Sequence, residues 1–192
     1  VRSTSHKSTN LGKVRIIGGE WRGRKLTVLD KPGLRPTADR VRETLFNWLQ
    51  WQIHGSRCLD LFAGTGILGI EAFSRGAQSV TLIEQDTEII ATLATQLADF
   101  PDHQIQLIHT NAVDFLSHTP PQPFDVVFLD PPFAAQLLEP CCHLLEQRGW
   151  LREHTQIYLE SGKEVNITLP LNWQIARCQI AGQVKYQLAT RK

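Results

Sequence analysis

An apolar run that breaks into a glycine turn and then into a helical stretch, LDLFAGTGILGIEA at residues 59–72, restricts this chain more than any other feature. Gly64, Gly66 and Gly69 follow the G-x-G-x-x-G spacing, which turns a strand sharply into a helix and lets a ligand approach the backbone. The same alternation recurs along the chain. RCLDLF, SVTLIE, IQLIHT and FDVVFLD read as short buried strands, with helical stretches between strands that include residues near 111–117 and 136–147. Repeated strand-then-helix units predict a mostly parallel sheet with helices on both faces. TQIYLES, NWQIARCQI and VKYQLAT add three strands, and the short AGQ between the last two leaves room only for an antiparallel hairpin.

At 192 residues the chain suits one well-buried core with an appendage. Its 42% hydrophobic and 20% charged residues exclude a disordered or fibrous class. No apolar run nears the roughly 18 to 20 residues that span a bilayer, and no signal peptide opens the sequence, so no membrane association and a cytoplasmic location are expected. Cys58, Cys141, Cys142 and Cys178 lack metal-ligand spacing and are expected to be reduced. The net charge of +1 hides a division: residues 1–57 hold 12 Lys+Arg against 4 Asp+Glu, and residues 58–192 hold 8 against 15. A basic front on an acidic body is the pattern of a polyanion-binding appendage on an enzyme.

That front divides further. Residues 1–13 lack periodicity and predict a flexible terminus. VRIIGGEWRGRKLTVL predicts a hairpin, with strands over 14–17 and 25–29 around a turn carrying Trp21, Arg22 and Arg24. After DKPG, the spacing of Val41, Leu45, Trp48 and Leu49 predicts a helix with Thr37 as N-cap. Arg40 and Arg42 fall in its first turn, where the helix dipole disfavours cations unless an anion is close.

The glycine loop alone suits a nicotinamide dinucleotide and S-adenosylmethionine about equally. Asp60 separates them: a carboxylate at the strand end would repel a pyrophosphate, whereas S-adenosylmethionine carries an ammonium and a sulfonium. Glu84, at the next strand end, is placed for ribose hydroxyls. Asn111 can meet an adenine edge beside the Ala112 amide, or cap the helix that follows.

VVFLDPPF, at residues 126–133, ends a buried strand on a charge and then fixes the backbone. A nucleobase exocyclic amine is a weak nucleophile because its lone pair is delocalised into the ring. Two acceptors on its N–H groups hold it pyramidal and aim the lone pair. Asp130 offers a carboxylate, Pro131 a carbonyl whose direction Pro132 restricts, and Phe133 a surface for an extruded base. The gain is chiefly proximity and orientation.

DLFAGTGILGIEA together with LDPPF resembles the S-adenosylmethionine-dependent amino-methyltransferases of class I. With RIIGGEWRGRKL and LRPTADRVRETLFNWL in front, the chain closely resembles the RsmD family of 16S ribosomal RNA guanine-N2 methyltransferases, from about Val14 to the C-terminus. The resemblance implies a Rossmann-like seven-stranded sheet, mostly parallel with an antiparallel last strand, behind an N-terminal β-hairpin extension. It implies S-adenosyl-L-methionine as cofactor and guanine 966 of 16S rRNA as substrate, in the 30S subunit or an assembly intermediate, with a monomeric enzyme. Asp60, Phe62, Gly64 and Gly66 would line the methionine side, Glu84 the ribose, and Asn111 and Ala112 the adenine. Asp130, Pro131, Pro132 and Phe133 would hold the target amine. Arg15, Trp21, Arg22, Arg24, Lys25, Arg35, Arg40 and Arg42 would face RNA phosphate, an inference from charge. The expected division is a flexible 1–13, a basic RNA-binding 14–56 and a methyltransferase domain over 57–192. The motif also serves DNA adenine-N6 methylases, and a catalytically silent RNA-binding assembly factor could keep the same fold.

Overall fold

Apolar runs that are buried on both faces make the strands Arg57–Asp60, Ser79–Glu84 and Phe124–Leu129 the centre of a parallel sheet in the computed structural model, which describes residues 12–100, 104–132 and 136–192. In chain order the elements are β1 (Gly12–Arg15), β2 (Lys25–Val28), α1 (Asp39–Trp48), β3 (Arg57–Asp60) and α2 (Ile67–Ser74). β4 (Ser79–Glu84), α3 (Thr87–Leu97), β5 (Ile105–His109), α4 (Ala112–His118) and β6 (Phe124–Leu129) follow. The chain closes with α5 (Leu138–Gln147), β7 (Leu151–Gly162), β8 (Trp173–Ala181) and β9 (Val184–Arg191). The seven-stranded sheet has the order β5-β4-β3-β6-β7-β9-β8. Strands β3 to β7 are parallel; β9 runs antiparallel to β8, as the short AGQ connection requires, and also to β7. Strand order reverses between β3 and β6, the position at which open α/β sheets bind ligands.

Side-chain alternation gives the sheet two apolar faces. Val80, Leu82, Val126, Phe128 and Tyr158 lie under α1, α2 and α3. Leu59, Ile83, Val127, Leu129 and Ile157 pack on α4 and α5. The helix starts are locally encoded: the Asp86 carboxylate accepts from Glu88 N and Ile89 N to cap α3, and Asn111 accepts from Asp114 N to cap α4. Cys58, Cys141 and Cys142 are buried, Cys178 is exposed, and all four are free thiols. No helix among the described residues is long and apolar enough to cross a membrane.

The β1–β2 hairpin forms in antiparallel register as expected, with strands ending one or two residues short of the predicted bounds. It does not stand apart, because Val14, Ile16, Trp21, Leu26 and Val28 are buried in the same cluster as the faces of α1 and α2. The flexible terminus expected over residues 1–13 lies, except for Gly12 and Lys13, outside the described residues.

Three expectations for this front are corrected. Trp21 does not face solvent: it is 5% exposed, its ring centroid 5.0 Å from Phe73 and 4.4 Å from Phe100, and burying an indole is worth about 3 kcal/mol. Arg42 is wholly buried; its guanidinium donates to Glu71 Oε2 (3.1 Å), Asp39 Oδ1 (2.5 Å) and the carbonyls of Arg15 and Thr37 (3.0 Å each). The anion that its first-turn position called for is the protein's own Glu71. Thr37 is not the N-cap either. Ala38 occupies that position with no side-chain bond, and the Thr37 hydroxyl points elsewhere.

Candidate active site

Four strands of the sheet end on a carboxylate at the same edge. Asp60 closes β3, Glu84 closes β4, Asp130 follows β6, and Glu160 lies near the end of β7. Parallel register makes this a cluster: Asp60 pairs with Phe128 across β3 and β6, and Leu129 pairs with Leu159 across β6 and β7. Asp130 and Glu160 are therefore level at the next step.

Asp60 is 1% exposed and accepts from the amides of Phe62 (3.4 Å) and Gly69 (3.3 Å). Burial pushes its carboxyl up to about 7, against the pull of those two amides. Gly64 and Gly66 have φ of 51° and 75°, a left-handed backbone that only glycine adopts without strain. The loop they form brings the Gly64 amide onto Glu84 Oε2 (2.9 Å), while Glu84 Oε1 takes the amides of Gln85 and Asp86 (2.8 Å each). Asn111 is committed to its cap, also donating to Asp114 Oδ2 (2.5 Å), so of its two readings the structure contains the capping one.

Above this edge runs the segment 30–38, joining the hairpin to α1. Lys31 spans to Asp86 (2.7 Å) and Glu88 (2.8 Å), and the Leu34 methyl lies 3.1 Å from where a side chain on Gly64 would begin. The Thr37 hydroxyl donates to Asp130 Oδ2 (3.3 Å). Burial first, then the negative charges of Glu160 and Asp60, hold the Asp130 carboxyl well above the ordinary carboxylate range, and Thr37 pulls the other way. Pro131 is buried and Pro132 exposed; Phe133 lies outside the described residues. Glu160 is 7% exposed and accepts from the Tyr158 hydroxyl at 2.7 Å; burial raises its carboxyl, and that hydroxyl opposes the rise.

Of the residues expected to bind RNA, Arg15, Arg22, Arg24, Lys25, Arg35 and Arg40 are exposed. Arg15 pairs with Asp39 at 3.1 Å, and the Arg24 guanidinium lies 5.0 Å from the Phe100 ring. A groove of about 420 Å³ runs between Lys13, Arg15 and Lys25 on one side and Pro36, Thr37 and Asp39 on the other. Thr37, whose hydroxyl touches Asp130, is part of that lining. Sequence reasoning missed Glu160 and Tyr158, although LES closes an apolar run on a carboxylate just as CLD, LIE and FLD do.

The family described as Conserved hypothetical protein 95 matches residues 14–190. Ribosomal RNA small subunit methyltransferase D of Escherichia coli (strain K12) is 50% identical over 182 residues, 94% of this chain and 91% of that one. A solved Escherichia coli chain assigned to the methyltransferases, yhhF, superposes with a TM-score of 0.86 at 50% identity, covering 94% of this chain and 99% of that one. At 20% identity, likeness extends to fold alone: the Thermus thermophilus 16S rRNA N2 G1207 methyltransferase, solved with AdoMet and guanosine, gives a TM-score of 0.69 over 97% of this chain and 52% of that one.

Proposed function

The chain belongs to the RsmD family of small-subunit ribosomal RNA methyltransferases, and from that premise we propose that it transfers a methyl group from S-adenosyl-L-methionine to the exocyclic N2 of one guanine in 16S rRNA, guanine 966 by family resemblance. The observation that carries the choice of guanine is the level pair of carboxylates, Asp130 and Glu160, at adjoining strand ends. Ionised carboxylates only accept hydrogen bonds, and donors brought to Asp130 and Glu160 favour that form against the burial that raises both carboxyls. The Watson–Crick edge of guanine presents adjacent donors at N1 and N2. Adenine sets its N6 amine beside the N1 lone pair, which a second carboxylate would repel.

The donor set fits the cofactor. Asp60 and Glu84 flank the glycine loop, and the nearby Lys31 is engaged by Asp86 and Glu88. Such a site disfavours a pyrophosphate and favours an ammonium and a sulfonium. In this reading Asp60, with Phe62, Gly64 and Gly66, holds the methionine part, Glu84 the ribose hydroxyls, and the Ala112 amide and Asn111 backbone the adenine side. Bound there, S-adenosyl-L-methionine supplies an electrophilic methyl and a neutral sulfide leaving group.

The protein's own part is positioning. Asp130 and the Pro131 carbonyl accept the two N–H groups of the amine, Pro132 stiffens that carbonyl, and Phe133 serves as the stacking surface. With the donor bound, the amine lone pair so held would face its methyl group, and the neutral sulfide would be the leaving group. The surplus N–H proton then passes to Asp130, whose raised affinity for protons suits it to receive one. Residues 14–56 act as the RNA-binding part through Arg15, Arg22, Arg24, Lys25, Arg35 and Arg40, and residues 57–192 as the transferase. The enzyme works as a monomer in the cytoplasm, on the 30S subunit or an assembly intermediate.

The test is transfer of labelled methyl to small-subunit RNA, free and in particles, from cells lacking the gene, followed by mapping of the product nucleoside. N2-methylguanine at a single position is expected, lost in Asp130→Ala with donor binding retained by calorimetry. Full activity in that variant, or preferred methylation of duplex DNA, would overturn the reading.

A further inference from the structure

Asp130 is not oriented by the sheet alone. One of its oxygens, Oδ2, receives the Thr37 hydroxyl at 3.3 Å, and Thr37 comes from the front of the chain, 93 residues away. Thr37 is itself buried, at 7% exposure, and its carbonyl accepts from Arg42 Nε at 3.0 Å. The Arg42 guanidinium rests on Glu71 Oε2 at 3.1 Å. Glu71 also takes the amides of Ile17 (2.9 Å) and Gly18 (2.7 Å), where the hairpin turns over α2. Arg42 and Glu71 are both fully buried, so the bonds from Arg42 to the Thr37 carbonyl and to Glu71 are made where water cannot replace them. A continuous run of hydrogen bonds thus joins the basic hairpin to the acceptor carboxylate.

We propose that Thr37 is a positioning residue for methyl transfer, fixing Asp130 Oδ2 so that the other oxygen meets the amine. The proposal rests on the guanine-N2 reading above. It follows from geometry: a carboxylate free to rotate about its last bond presents its acceptor lone pairs in a spread of directions, whereas one oxygen tied to a hydroxyl presents the other in one. Thr37 also opposes the burial and the neighbouring negative charges that push that carboxylate towards its protonated form. Around Asp130 the other titratable groups are Glu160 and Tyr158 on β7 and Asp60 on β3, and none of them supplies positive charge. The Thr37 hydroxyl is the one group among these that favours the ionised state. Arg42 and Glu71 act on Asp130 only through Thr37, as the support that holds its backbone.

The experiment compares Thr37→Val, which keeps the branched shape and deletes the hydroxyl, with Thr37→Ser, which restores it, using the full chain, 30S particles and labelled methyl donor. Expected in Thr37→Val is a kcat loss on the order of tenfold to a hundredfold, the range that misplacement of a reacting group produces. The KM for RNA and the calorimetric donor affinity should stay within about twofold, and the acidic limb of the rate–pH profile should move to higher pH. Thr37→Ser should recover most of kcat and the original limb. Thermal melts of all variants check the fold, and Asp130→Asn supplies the floor. If Thr37→Val keeps wild-type kcat while Asp130→Asn is inactive, the positioning role is wrong and the guanine-N2 reading stands. If Thr37→Val loses donor affinity instead of kcat, Thr37 is a cofactor contact and the proposal also falls. A wild-type enzyme that leaves N2 unmodified would end both readings.

Discussion

Asp60 carries an electrostatic cost that the fold accepts for the sake of its site. Its carboxyl titrates near 3.8 when unfolded and is pushed up to about 7 by burial in the folded protein. Between those values the folded state binds more protons than the unfolded one, so stability falls as pH rises through that window and the full penalty is present above about pH 7. The shift corresponds to a cost of about 4 kcal/mol at most. Asp60→Asn removes the ionisation, so its melting temperature should exceed that of the wild type at pH 8, with the gap closing towards pH 4. Donor affinity should fall at least tenfold in calorimetry. A gap that is flat across pH would show that Asp60 is not the strained group. Asp60, Glu84 and Asp130 were legible because each ends an apolar run. Glu160 ends one too, but it sits in a segment whose sequence reads first as part of a terminal strand set. Thr37 was misread because a hydroxyl just ahead of a helix is locally a cap, and its partner lies 93 residues away.

The hairpin and α2 form a joint whose strength depends on one buried ion pair. Glu71 receives Arg42, Arg75 and two hairpin amides, and Ser74 Oγ takes the Trp21 amide while donating to the Gly18 carbonyl. The approach is close: a side chain on Gly19 would begin 1.8 Å from the Ser74 carbonyl oxygen, and Gly19 has a φ of 78°. Arg42→Ala strips Glu71 of its fully buried partner and should cost about 3 to 5 kcal/mol in urea unfolding, as breaking one side of a buried pair does. The double variant Arg42→Met with Glu71→Met should recover part of that loss, because no charge is left uncompensated. Additive losses would mean that the two side chains act independently. Each element was readable from its own periodicity and caps. Their docking was not, since the charge pattern of the front gives no sign that Arg42 faces inward and Arg40 outward. Helical spacing offers both as first-turn cations, and only the presence of α2 beneath one of them decides.

At the scale of the molecule, charge is sorted along the chain, +8 over residues 1–57 and −7 over the rest, and the fold turns that order into geometry. The basic hairpin borders a groove that Thr37 also lines, and the Thr37 hydroxyl reaches the Asp130 carboxylate at the sheet edge. In the proposed reading, a polyanion drawn to the front is thereby kept off the acidic edge, except for a base that can offer donors. The burial of Trp21 and Arg42 narrows the proposed RNA-facing set to exposed cations, among which Arg22, Arg24 and Lys25 cluster at the hairpin turn and the start of β2. Replacing these three by Ala should weaken RNA binding and reduce the slope of log affinity against log salt by about 2, the value for three single-strand phosphate contacts. Donor affinity should be unchanged, because none of the three touches the glycine loop. The melting temperature should fall only slightly, through loss of the Arg24 guanidinium over the Phe100 ring. Filter-binding titrations at several salt concentrations give the slope directly. An unchanged slope would show that the hairpin cations are merely solvated, and that RNA is held instead by Arg35, Arg40 or the far side of the groove.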